Sequence, residues 1–128
     1  MNIFGNISFW GSNFSPRQAT DESGISFTEQ TEVGEIGTQG KYNAKPFDYG
    51  AAHINFKSGD DRDSFLVPLE VLNLVKMHKE TLKRLGAEEI SITVNIAYQG
   101  QCNLELSPAF MKMVSDLGVP LLMTCYEK

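Results

Sequence analysis

From Ile3 to Trp10 the chain alternates in the two-residue period of a strand, with Ile3, Gly5, Ile7 and Phe9 on one face. Phe4, Asn6, Ser8 and Trp10 fall on the other. Gly11 breaks the run, and Ser15-Pro16 is the pairing of a capping hydroxyl with proline at the first helical position. A short helix from Pro16 to about Glu22 then ends at Gly24. Ser26 to Val33 alternates weakly and is rich in threonine, as a strand with one wet face would be. Residues 34–50 hold several glycines, a proline and polar side chains, with Tyr42, Phe47 and Tyr49 as large apolar groups; they read as a long loop or a loose hairpin. Ala51 to Phe56 resumes a strand, with Ala52, Ile54 and Phe56 opposite His53 and Asn55, and Ser58 to Ser64 is an acidic turn.

The clearest helix is Pro68 to Leu85. Val71, Val75, His78, Leu82 and Leu85 recur at spacings of four and three, Leu72 and Leu74 widen the stripe, and Lys76, Lys79, Glu80 and Lys83 point outward. Lys83 and Arg84 suit the negative end of the helix dipole, and Gly86 stops the helix. Glu88 to Tyr98 sets Ile90, Ile92, Val94 and Ile96 against Ser91, Thr93 and Asn95, the alternation of a strand with one solvated face. Gln99-Gly100 is expected to turn a hairpin, with Gln101 to Leu106 as the returning strand. Ser107-Pro108 repeats the capping signal; Phe110, Met113, Val114 and Leu117 face inward, Gly118 closes the helix, and Val119 to Tyr126 is the last strand. The order β-α-β-β-α-β-β-α-β predicts an α+β domain. Its sheet should be mixed or antiparallel with helices on one face, a ferredoxin-like or related split-βαβ sandwich.

At 128 residues this is the size of one domain, able to bury a stable core without disulfides or metals. Sixteen acids against eleven bases give a net charge of −5. The excess is concentrated in the first half, where residues 1–65 carry nine acids and five bases. A negative surface repels phosphate backbones and anionic lipid, which argues against nucleic acid and membranes and in favour of a basic protein as partner. Cys102 and Cys125 lie in apolar stretches without metal-ligand spacing, so both are expected as buried free thiols. The first residues show no signal-peptide pattern and no stretch is apolar enough to span a bilayer, so the expected location is the cytoplasm.

Candidate chemistry is sparse. His78 sits on the apolar face of the long helix and His53 on the polar face of a strand, and neither lies in a metal-binding spacing. Asp60, Asp61 and Asp63 cluster in the acidic turn, but the positions that would complete a calcium loop hold the wrong residues, and a solvated turn is the simpler reading. No nucleophile elbow, phosphate-binding glycine loop or dinucleotide fingerprint occurs. The expectation is therefore a protein without catalytic residues, metal or cofactor. The stretch from Thr28 to Tyr49 is the most suggestive feature. It combines Glu29, Glu32, Glu35 and Asp48 with Tyr42, Phe47 and Tyr49, acids that steer a basic partner beside aromatic rings that anchor it. With Asp60, Asp61 and Asp63, these are the expected partner-binding residues.

Two segments carry a resemblance. Gly11-Ser12-Asn13-Phe14-Ser15-Pro16-Arg17-Gln18-Ala19-Thr20 reads as a G-x-x-apolar-x-P-x-x-apolar-T opening. Leu104-Glu105-Leu106-Ser107-Pro108, then Leu117-Gly118 and a strand ending at Tyr126, reads as an L-x-L-S-P…L-G…Y ending. Together they resemble a bacterial family of small cytoplasmic domains of unknown function. Some proteins similar to that family stand beside polymorphic toxins in the place of an immunity protein. That setting, taken with the acidic, aromatic stretch and the absence of catalytic motifs, leads to the expectation of a non-catalytic module that neutralises a cognate toxin by occluding its active site. The alternatives are a homodimeric regulatory domain joined through a sheet edge, or a small ligand-binding domain.

Overall fold

The computed structural model describes residues 1–58 and 65–128. In chain order the elements are β1 (Asn2–Gly11), α1 (Pro16–Ser23), β2 (Glu29–Thr31), a 3-10 turn (Gly40–Tyr42), β3 (Gly50–Lys57), α2 (Leu69–Arg84), β4 (Glu89–Tyr98), α3 (Pro108–Leu117) and β5 (Leu121–Glu127). The strands form one five-stranded sheet in the order β2-β3-β1-β4-β5. The protein is thus an α+β fold with a mixed sheet. β2 pairs antiparallel with β3, and β4 pairs parallel with β5, Ile92 lying beside Leu121 and Ile96 beside Cys125.

This order contains two interleaved split units. The chain leaves β1, passes through α1 and reaches β2 with β3 lying between them; it leaves β3, passes through α2 and reaches β4 with β1 between them. Helix α3 then connects β4 to its immediate neighbour β5, which a parallel pair requires because a tight hairpin cannot join parallel strands. The expected hairpin at Gln99-Gly100 is therefore corrected: residues 101–106 form no strand. The reason is competition for edges. β4 is hydrogen-bonded to β1 on one side and β5 on the other, so a returning strand has no edge to join. Leu104 and Leu106 are half-buried without entering the ladder. The strand expected at Ser26 to Val33 shortens to the three residues Glu29–Thr31.

Local signals work where they are self-contained. The Ser15 hydroxyl accepts from the Gln18 amide at 3.2 Å and the Ser107 hydroxyl from the Phe110 amide at 3.1 Å, each satisfying an orphan donor of the first helical turn. Gly24 and Gly118 close the same two helices in left-handed conformation.

The residues cluster into two compact units, one of 1–7, 55–77 and 91–128, the other of 8–54 and 78–90. In the first, Ile3, Ile7, Val75, Ile92, Val94 and Ile96 are buried, and Phe65 meets Phe110 edge to face at 5.4 Å. In the second, Phe9 and Phe14 both stand edge-on to Phe27, with Ala19, Leu82 and Ile90 buried. His78, expected on the apolar face of α2, is half-buried at the margin of the stripe. The two thiols depart from expectation. Cys125 is exposed because β5 lies at the edge of the sheet, and Cys102 is half-buried in the segment that forms no strand.

Backbones approach closely in both units. A side chain at Gly5 would overlap the Thr93 carbonyl oxygen, and one at Gly50 would overlap the carbonyl oxygen of Phe14. Only glycine permits such contact. Gly5→Ala should cost at least about 1–3 kcal/mol, as forced overpacking does, and Leu82→Ala, which empties a fully buried site, about 2–5 kcal/mol. Urea unfolding of the two variants measures both.

Candidate interaction surface

The segment between β2 and β3 is ordered by its own backbone. Gly34 donates to the Phe47 carbonyl at 2.8 Å, Phe47 to Glu35 at 2.8 Å, Gly37 to Lys45 at 2.9 Å and Ala44 back to Gly37 at 2.9 Å. Bridges join Ile36 to Pro46 and Gly37 to Asn43. Of the two sequence expectations, a long loop or a loose hairpin, the structure has the hairpin-like form, closed by these bonds. Its tip turns through the 3-10 residues Gly40–Tyr42, and Ala44 has a positive φ, at 61°. A left-handed alanine costs about 1–2 kcal/mol, so the rest of the loop holds it there.

The aromatic residues of the loop gather. Tyr42 lies 5.0 Å from Phe47 and 5.6 Å from Tyr49, and Phe47 lies 5.6 Å from Tyr49. Trp10 of β1 joins from below, 6.0 Å from Tyr49. All three loop rings are half-buried, each covering part of the next. The Tyr42 hydroxyl donates to Asp48 at 2.6 Å, and that carboxylate pushes the Tyr42 pKa up from its usual value by favouring the neutral phenol. Lys41 stands 5.5 Å above the Tyr42 ring.

The acids expected to steer a partner separate into two kinds. Glu32 is engaged: its carboxylate accepts from the Arg17 amide at 2.6 Å and from the Ser15 hydroxyl at 3.3 Å, at the positive end of α1. It ties the loop to the helix. Asp48 is bonded to Tyr42 as above. Glu35 is exposed, and Glu29 lies on β2 opposite His53 of β3. Lys41 and Lys45, both exposed, offset part of the local negative charge. Asp60, Asp61 and Asp63 lie outside the described residues. The sequence reading passed over Val33 and Ile36, which are 48% and 61% exposed on this same loop. Their signal was present: two branched aliphatics in a stretch otherwise polar enough to be left to solvent.

Elsewhere chemistry stays thin. His53 Nδ1 is 3.0 Å from the Ser8 hydroxyl across adjacent strands. Among the described residues no three His, Cys, Asp or Glu side chains gather as a metal-holding group. An open groove of about 460 Å³ is lined by Phe4, Asn6, Asn55, Phe56, Lys57 and Asn95. Burial pushes the Cys102 thiol up, with Cys125 beside it reinforcing the shift. No described helix is long and apolar enough to cross a membrane.

No family model, curated protein or solved structure matches the chain. The reading of function rests on the geometry above.

Two outcomes are expected of the loop itself. Ala44→Gly should raise stability by up to about 1–2 kcal/mol, the left-handed penalty removed, whereas Glu32→Ala should lower it by about 1 kcal/mol as a lost helix cap; thermal unfolding of both variants checks this. Because the Tyr42 pKa is raised in the fold, the stabilisation from its bond to Asp48 is fully present below the ordinary tyrosine pKa and is lost as pH climbs through the folded value. Phenolate absorbance should show Tyr42 ionising at higher pH than in an Asp48→Asn variant.

Proposed function

We propose that the protein is a non-catalytic protein-binding module whose contact surface is the loop of residues 33–49. The observation that carries this reading is the combination of rigidity and exposure. Three mutually packed rings are held by a backbone ladder and a cap to α1, which also keep Ala44 in a left-handed conformation, while Val33 and Ile36 stand in solvent on the same loop. Half-exposed aromatic side chains with little freedom left to lose are economical anchors, since binding then costs little ordering entropy. A backbone conformation maintained at a cost is also more common where a surface has a task.

The partner is a protein with a basic patch. The exposed Glu29 and Glu35 and the net charge of −5 raise its encounter rate, and the hydrophobic side chains then slow its release. The resemblance at the two ends of the chain implies what that partner is: a bacterial toxin whose active site the loop covers, making this an immunity protein.

Ile36→Asp is the informative variant, because a side chain that is 61% exposed can be changed without disturbing the fold. The reading requires a toxin gene beside this one, and cells producing that toxin should survive with the wild-type protein. Ile36→Asp should weaken the complex by about tenfold or more, the loss of one strong anchor, with an unchanged melting temperature. Absence of protection by the wild type, or undiminished binding by Ile36→Asp and Val33→Asp alike, would sink the proposal.

A further inference from the structure

The two edges of the sheet are built differently. At one end β2 is only three residues long and polar, Glu29-Gln30-Thr31, a short charged edge that discourages further pairing. At the other end β5 runs for seven residues, Leu121-Leu122-Met123-Thr124-Cys125-Tyr126-Glu127, with no proline or lysine inside it. Leu122, Met123 and Tyr126 are each between 44% and 51% exposed. This is the kind of edge natural proteins avoid leaving bare.

The hydrogen bonds to β4 show which backbone groups remain. The Pro120 carbonyl accepts from Ile92, and the Lys128 amide donates to Tyr98. Backbone groups along a strand point alternately to its two sides, so the even-numbered residues of β5 face β4. The N–H and C=O groups of Leu121, Met123, Cys125 and Glu127 face outward along the sheet edge.

We propose that a second copy of this chain pairs its β5 antiparallel to this one, joining two sheets across a twofold axis. The symmetry restricts the register. A twofold normal to the sheet must place one residue opposite itself, and directly opposed residues share a face. Centring on Thr124 sets Met123 against Cys125 and Leu121 against Glu127 of the other copy, so every outward-facing residue of β5 finds a partner. Centring on Met123 or Cys125 strands one end of the ladder. In the Thr124 register Leu122 lies opposite Tyr126, an aliphatic–aromatic cross-strand pair. Charge agrees: Glu127 meets Leu121 and Lys128 meets Pro120, so no like charges oppose each other. A parallel pairing of the same two strands would bring Glu127 towards its own copy.

The pairing is tested in solution at the positions it names. Thr124 is exposed and bonds to β4 only through its backbone, so its side chain can be changed with the fold kept, as circular dichroism would verify. Sedimentation equilibrium should give twice the 14.2 kDa chain mass for the wild type. Thr124→Lys, which places two ammonium groups face to face, should return the mass to that of one chain. In a Cys102→Ser, Cys125→Ser background, Thr124→Cys should form a covalent dimer under mild oxidation, because directly opposed residues of a non-hydrogen-bonded pair stand about 4.5 Å apart between Cα atoms, within disulfide reach. A wild-type monomer across micromolar concentrations, or a dimer that persists in Thr124→Lys and is not trapped by Thr124→Cys, would overturn the proposal. Loss of the dimer leaves toxin protection as a separate readout, so failure here is distinguishable from failure of the loop surface.

Discussion

Strand β1 is hydrogen-bonded along both of its edges, and the arrangement of the chain follows from that. With β3 on one side and β4 on the other, β1 forces each of the first two helix connections to step over a strand. The contact is unusually close at Gly5, where the Thr93 carbonyl occupies the space of a side chain, and at Gly11, where that of Gly86 does. The apolar face of Ile3, Ile7 and Phe9 is wholly buried, while Phe4, Asn6, Ser8 and Trp10 stay half-exposed. One strand therefore supplies core on one side and, through Trp10, a footing for the aromatic loop on the other.

The loop extends this logic. Its two ends are anchored by non-covalent contacts that leave no slack: Glu32 on the first turn of α1, and Gly50 pressed against the Phe14 carbonyl. Between those anchors the rings of Tyr42, Phe47 and Tyr49 cover each other in place of a core. Of the acids in this stretch, Glu32 and Asp48 are committed to internal bonds while Glu29 and Glu35 stay exposed, and the apolar side chains of Val33 and Ile36 beside them remain in water.

What the sequence disclosed depended on the range of the interaction. The caps at Ser15 and Ser107, the closing glycines 24 and 118 and the stripe of α2 are settled within one or two turns of chain, and all were legible. The alternation of β1 and β4 identified their buried faces for the same reason. The hairpin after Tyr98 was misread because the turn chemistry of Gln99-Gly100 is local, whereas the occupation of both edges of β4 is decided by residues far away in sequence. Cys125 was assigned to the core on its apolar neighbours, and its exposure follows from β5 being outermost, which strand order alone determines. The role of Glu32 was hidden likewise: nothing near it in the chain announces the amide of Arg17.

Interleaving has a kinetic cost. β1 is made first, yet its partners β3 and β4 begin at Gly50 and Glu89, so closing the sheet brings together segments widely separated along the chain. Such long-range closure slows folding relative to helical proteins of equal size. Until β4 is in place, Ile3, Ile7 and Phe9 remain uncovered beside an unpaired edge, a combination that favours aggregation over folding.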